Sequence, residues 1–353
     1  MANSGVDEPA MGAWMTRRRM PKRSVSLLDV QDTGRILLGR WRGTGKSGTV
    51  HWSLQWRDGN SGDGVALQLN LMLLVLLAAV LHATWNAVVK SSGDQFLSFT
   101  AIRATGTIVA IGAAFFVPLP ASEAWPYLLA GVAIHNCYYV VLLQAYRFGD
   151  LSHVYPLARG VAPVTVAVLA AVFAGEVPNS VAMAGIGLVS AGIISLMFTS
   201  RGAGSEPASG PGGDIKTVLM AVATGLFIAG YTVVDGIGIR LGETVFGYIV
   251  WLNVGEGIPF MFAAVVLRPK EVGPFLKLNW PRTTGTGLLV VLAYGLVLYA
   301  LSQGAMAHVS ALRETSVLFA TVIGVVLLRE PLGWRRIAAA AVIVAGVILM
   351  QVS

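Results

Sequence analysis

The chain has 353 residues, 55% of them hydrophobic and 12% charged, with a formal net charge of +7. Soluble domains average roughly 25% charged residues, and no soluble core could absorb this much apolar sequence. The single cysteine, Cys137, excludes an intramolecular disulfide and a cysteine metal cluster, so neither metal nor cofactor is expected.

Residues 1–65 hold ten Lys or Arg, including Arg17-Arg18-Arg19, and six Asp or Glu, mixed with Gly and Ser and without sustained periodicity. They are expected to form a disordered basic tail. The tail carries +4 of the charge and leaves +3 for the rest, so no nucleic-acid partner is expected. Gly45-Lys46-Ser47 resembles the end of a phosphate-binding loop, but the first glycine of that motif would fall at Arg40, and Gly39 misses by one residue. Because the first long apolar run starts only near residue 67, no signal peptide is expected. Met72, at the head of that run, is a natural alternative start that would leave the tail untranslated.

From Ala66 onward, apolar runs of roughly 20 residues follow one another, each long enough to cross about 30 Å of hydrocarbon. They predict helices over 67–90, 97–117, 125–146, 151–174, 179–199, 215–239, 244–267, 284–304, 308–328 and 333–351. Breakers mark most of the cuts: Pro118 and Pro120, Gly149-Asp150, Glu176-Val177-Pro178, and Arg268–Arg282 with its three prolines. Almost nothing polar separates the eighth run from the ninth, so the count is nine or ten. Residues 200–214, rich in Gly, Ser and Pro, read as a flexible linker between a first half, 66–199, and a second, 215–353. The predicted fold class is an all-α integral membrane protein of about ten transmembrane helices.

The two halves repeat. Setting Arg159 on Arg313 brings Glu176 onto Glu330, Ala191-Gly192 onto Ala345-Gly346 and Ile194 onto Ile348 without a gap. Ionisable residues are scarce here, so coincident Arg and Glu positions weigh more than matching Ala or Val. Five helices per half is an odd number, which turns the second half over in the bilayer and gives an inverted repeat with its site at the interface between halves. The same register aligns two small-residue steps, Gly187/Ala191 and Ala341/Ala345, expected to be packing seams.

Three stretches also carry a family likeness: His82-Ala83-Thr84-Trp85-Asn86-Ala87-Val88-Val89-Lys90, Gly149 through Gly160, and Arg329-Glu330-Pro331 followed by Ala345-Gly346. In order and spacing, residues 72–351 resemble the EamA-type carriers of the drug/metabolite transporter superfamily. The resemblance implies ten helices in two inverted five-helix repeats, and metabolite export or uptake without ATP hydrolysis. The long tail departs from the family pattern. So does His308–Arg313, one residue shorter than its first-half counterpart and without the proline.

Charged groups at mid-depth cost roughly 2.5–3.5 kcal/mol on insertion scales, so they should face protein or water. Arg159 lies about nine residues into its helix, a short step before Pro163, which would free a carbonyl and open the helix locally. Two readings stand: an anchor for a substrate carboxylate, or a structural ion pair with Asp235 or Glu256. Arg313 is its second-half counterpart. His82, Trp85, Asn86 and Lys90 share one face of the first helix, His135, Tyr138, Tyr139 and Tyr146 one face of the third, and Tyr231 with Asp235 one face of the sixth. Together they predict a central cavity with hydrogen-bonding aromatic walls, while Tyr146 and Trp125 fit an interfacial belt. Asp235 reads either as a proton-exchanging carboxylate or as an interfacial acid beside Arg240. Glu256, with Asn253 on the same face, is an equal candidate. His153 and His308 read as interfacial.

Short-loop charge places Lys90, Arg147, Arg201, Lys216, Arg268, Lys270, Lys277, Arg282, Arg329, Arg335 and Arg336 on one side and essentially Arg240 on the other, which would put both termini outside the cytoplasm. The basic tail and the family likeness imply the reverse. The function expected is a secondary transporter of an amino acid or similar solute, an exporter working by alternating access in the plasma membrane, with proton coupling and a homodimer as further expectations. The alternatives are a flippase for a lipid-linked sugar and an intramembrane lipid-processing enzyme. For an enzyme the chain offers no His-Glu-x-x-His site and no Gly-x-Ser-x-Gly elbow.

Overall fold

The computed structural model describes residues 35–43, 50–58, 67, 69–90, 92–148, 151–198, 215–328 and 333–353. The chain divides into an N-terminal unit, Met1–Asp63, and a second unit, Gly64–Ser353. Within the expected tail, β1 (Arg35–Gly43) and β2 (Val50–Asp58) form an antiparallel hairpin with Trp41 opposite Trp52 and Leu37 opposite Trp56. Charge and Gly content hid a period of two: Val50, Trp52, Leu54 and Trp56 alternate with His51, Ser53, Gln55 and Arg57, the pattern of a strand. Gly45-Lys46-Ser47, the linker at 200–214 and Glu330 lie outside the described residues.

The second unit is helical. Its first half holds α1 (Leu69–Lys90), α2 (Gln95–Ala113), α3 (Trp125–Phe148), α4 (Leu151–Phe173) and α5 (Ser180–Ser195). Its second half holds α6 (Ile215–Leu241), α7 (Val245–Leu267), α8 (Pro269–Gln303), α9 (Met306–Arg313), α10 (Ser316–Leu328) and α11 (Trp334–Gln351). Polar side chains close several helix starts: Asp94 accepts from Leu97 N at 2.9 Å, Asn179 from Ala182 N at 2.8 Å and Thr244 from Gly247 N at 3.1 Å. Leu73 and Leu77 on α1, Val168 and Val172 on α4, and Phe262 and Val266 on α7 stay exposed, as a lipid-facing surface requires. Among the described residues nine helices are long and apolar enough to cross a membrane, and α9 with α10 forms a tenth, interrupted span.

Helix pairing follows the repeat. α2 packs on α7 and α5 on α11, each on its own counterpart; α3 against α6 is mirrored by α8 against α1, and α4 against α6 by α9 and α10 against α1. The body is thus two inverted five-helix repeats.

Three expectations are corrected. The stretch Arg268–Arg282, read as a loop, belongs to α8. Pro269 occupies the first helical turn, where its missing N–H costs nothing, and Pro274 and Pro281 lie exposed within the helix. At 35 residues, α8 is about 50 Å long and outreaches the hydrocarbon. Secondly, α4 runs unbroken through Pro156 and Pro163. The interruption falls instead in the proline-free half, at Glu314-Thr315.

Thirdly, the α5–α11 seam lies on other faces than Gly187/Ala191 and Ala341/Ala345. Gly187 meets nothing within 4 Å of a would-be Cβ, and Ala191, Ala341 and Ala345 are exposed. The contact runs through Gly185 and Gly192 on α5 and Ile343, Gly346 and Met350 on α11; a Cβ on Gly185 would sit 2.8 Å from the Gly346 carbonyl oxygen. Small residues recur at four-residue steps on several faces of such helices, and only the partner helix selects one.

Candidate functional site

The broken span sets the first half of the site. Beyond α9 the backbone tightens into i to i+3 bonds, Thr315 N to Leu312 O at 3.1 Å and Val317 N to Glu314 O at 3.1 Å, and the Thr315 hydroxyl also donates to Leu312 O at 2.7 Å. The turn holds Glu314, wholly buried, beside the central helix of the other repeat. Its Oε2 accepts from Arg159 Nη1 at 2.7 Å, and its Oε1 accepts from Arg313 Nε and Nη2 at 3.1 and 3.0 Å. Arg159 also touches the His82 ring, which accepts from Trp85 Nε1 at 3.2 Å. The Tyr155 ring lies 5.1 Å from the Arg159 guanidinium and the Tyr231 ring 5.8 Å from that of Arg313. Two guanidiniums share one carboxylate, so this group keeps a surplus positive charge.

The second group has the opposite balance. His135 on α3 sets Nε2 2.9 Å from Asp235 Oδ2 and Nδ1 3.2 Å from Glu256 Oε1. Asp235 also accepts from the Tyr294 hydroxyl at 2.6 Å and the Tyr248 hydroxyl at 3.2 Å. Glu256 pairs with Arg103 of α2 and accepts from the Tyr139 hydroxyl at 3.4 Å. Two carboxylates face one guanidinium, and all these charged groups are buried. Tyr231 joins the groups: its ring stacks on His135 at 3.9 Å and 22° and also lies beside the Arg313 guanidinium. A small cavity borders both, lined by His82 and Trp85 on one side and by Phe99, Arg103, His135, Tyr138, Tyr139, Tyr231 and Tyr294 on the other.

The structure therefore brings His82, Trp85, His135, Tyr138, Tyr139, Tyr231, Asp235, Glu256, Arg159 and Arg313 into one connected region. Asn86 and Asn253 do not join it: each amide donates to its own helix, to His82 O at 2.7 Å and Ile249 O at 2.9 Å. Lys90 ends α1, and its side chain lies outside the described residues, as do those of Tyr146 and His153. Arg159 pairs with Glu314 rather than with Asp235 or Glu256. Asp235 is fully buried, not interfacial, and Arg240 pairs with Glu176 instead. His308 is likewise buried. Trp125 donates to Pro120 O at 3.2 Å at the start of α3, a span end as expected.

Among the members that escaped the sequence reading are Arg103, Glu314, Tyr248 and Tyr294. Arg103 lies nine residues into α2 and satisfies the criterion that singled out Arg159, an ionisable group at mid-span. Glu314 follows Arg313 directly, but a continuous ninth helix would have turned it about 100° away from Arg313.

A membrane-embedded bundle of two inverted repeats, enclosing an aromatic cavity beside buried charged groups, defines the class of integral membrane carriers. The chain belongs to the EamA-like transporter family, which matches residues 69–198 and 215–352, one match per repeat. It is thereby a member of the drug/metabolite transporter superfamily, whose proteins move small solutes across membranes. A solved crystal structure titled only as that of a protein superposes with a TM-score of 0.65, covering 79% of this chain and 97% of its own at 18% identity, and so shares the fold. No curated protein matches the chain.

Proposed function

We propose that the protein is a secondary transporter that moves an amino acid or similar small organic solute across the plasma membrane by alternating access, in the export direction. The observation that carries this reading is the surplus cation of Arg159 and Arg313 over Glu314, held at the break of the ninth span and bordering an aromatic cavity through His82. A solute carboxylate would complete the charge balance there through a charge-assisted hydrogen bond. In this reading the break between α9 and α10 is the hinge of the alternation, and packing of α9 and α10 against α1 ties it to the other repeat.

The test is counterflow in proteoliposomes with a panel of amino acids, organophosphonates and amphipathic cations, alongside Arg159→Ala. Saturable exchange that a folded variant loses supports the reading. Flux that grows linearly with concentration without saturating would replace a carrier with a channel.

A second reading, a flippase for a lipid-linked sugar, draws on the apolar crevice lined by Leu76, Leu318, Phe319, Val322, Val344 and Ile348, which reaches Thr315 at the same break. Exchange of a lipid-linked sugar analogue between leaflets, with no response to any soluble panel member, would favour it.

A further inference from the structure

The imidazole of His135 is wedged between two carboxylates, one at each ring nitrogen. A neutral imidazole carries one N–H and one lone pair. Whichever nitrogen holds the proton, one carboxylate oxygen then faces a lone pair at close range.

Asp235 decides which. Its two oxygens accept from the hydroxyls of Tyr248 and Tyr294, and Nε2 lies at 2.9 Å. With both hydroxyls donating to Asp235, the Nε2–Oδ2 contact is a hydrogen bond when the imidazole proton sits on Nε2. His135 Nδ1 and Glu256 Oε1 remain, 3.2 Å apart, both buried and both without a hydrogen-bond partner among the described residues. Two lone pairs at that distance repel. One added proton turns the contact into an attraction between an imidazolium and a carboxylate.

We propose that His135 and Glu256 form the proton-binding site of the transport cycle, taking up one proton between Nδ1 and Oε1. The step balances simply: a proton from water binds, no bond breaks, and the group of Arg103, Asp235, Glu256 and His135 passes from one net negative charge to none. The groups facing the site come from every packed element. Arg103 on α2 and Tyr139 on α3 sit against Glu256, Tyr231 and Asp235 on α6 and Tyr294 on α8 against His135, Tyr248 on α7 against Asp235, and Arg313 on α9 beyond Tyr231.

The proton also reaches the cavity. With His135 protonated, Glu256 shares its charge between the imidazolium and Arg103, which loosens its hold on Arg103, and Arg103 lines the cavity together with His135. Proton uptake thus hands a guanidinium to the solute, which couples the two bindings. This coupling rests on the carrier reading, whereas proton binding itself does not.

The experiment uses the full chain in detergent micelles with the proton as the only probe. Infrared difference spectra between alkaline and acidic buffer are recorded for wild type with and without ring nitrogen-15 labelling of histidine. The expected result is a protonation band that carries the histidine isotope shift, disappears in Glu256→Gln and in His135→Gln, and survives in His308→Gln. A band unchanged in both Glu256→Gln and His135→Gln overturns the proposal. Should neither variant fold, the absence of any isotope-shifted band in wild type still overturns the proposal, and its expected presence is assigned by the milder Glu256→Asp, which should shift the band. Solute counterflow without this band would leave the carrier reading standing and remove the proton site; the band without any flux would do the reverse.

Discussion

The Glu314 carboxylate accepts a hydrogen bond from Arg159 at 2.7 Å across 155 positions of chain, and so ties the central helices of the two repeats to each other. Removing Glu314 strands two guanidiniums in a buried site, at a cost of about 3–5 kcal/mol, whereas removing Arg159 leaves Glu314 paired with Arg313. Glu314→Gln should therefore lower the thermal unfolding midpoint sharply in detergent, and Arg159→Met should lower it less. The double variant should recover part of the loss, with a coupling of about 0.5–3 kcal/mol. Additive losses in that cycle would show that the pair does not join the repeats.

Tyr231 is the ring shared by the two charge groups, stacked 3.9 Å from His135 and 5.8 Å from the Arg313 guanidinium. Its face, rather than its hydroxyl, makes these contacts. Tyr231→Phe should therefore keep saturable exchange near the wild-type level, and Tyr231→Leu should lose it, because aromatic contacts contribute about 0.5–1.5 kcal/mol beyond area alone. Equal exchange by both variants would remove the ring from the site.

The α8–α9 junction is clamped by Arg240 and Glu176. Arg240 donates to Leu301 O at 2.9 Å and Gly304 O at 2.6 Å, and Glu176 accepts from Met306 N at 2.7 Å while pairing with Arg240. Arg240→Ala leaves two carbonyls short of a donor, each worth about 1–3 kcal/mol where water cannot reach. Faster amide hydrogen exchange at residues 304–309, with α2 and α7 unchanged, is the expected outcome. Uniform acceleration along the chain would point to global loosening instead.

At the α5–α11 seam, Gly346 has no room for a side chain: a Cβ would meet the Gly185 carbonyl oxygen at 2.7 Å and Val189 N at 2.8 Å. Gly346→Val should destabilise the fold by about 1–3 kcal/mol or more, since backbone cannot yield as a side chain does. Gly187→Val, facing open space, should change the melting temperature little. A reversal of this order would put the seam on the Gly187 face.

Much of the architecture was legible because lipid imposes simple rules. Runs of about 20 apolar residues have one use in a bilayer, and the paired Arg159 and Arg313 announced a duplication that helix pairing repeats. The polar stripes on α1, α3 and α6 were legible for the same reason, and ten of thirteen named residues meet in one region. Partners were not. On sequence grounds the partner of Arg159 was Asp235 or Glu256, and the break at Glu314-Thr315, a local backbone choice, gave it Glu314 instead.

What the sequence alone determined is the class of solvent, a count of nine or ten crossings and the twofold plan, since these depend on composition and period. Only the tertiary structure decided which faces meet: Gly185 against Gly346 rather than the Gly187 step, Arg103 against Glu256, and His135 between two carboxylates. Those contacts bring together positions a hundred residues or more apart, and their choice rests on the angle at which helices pack, which no single helix encodes.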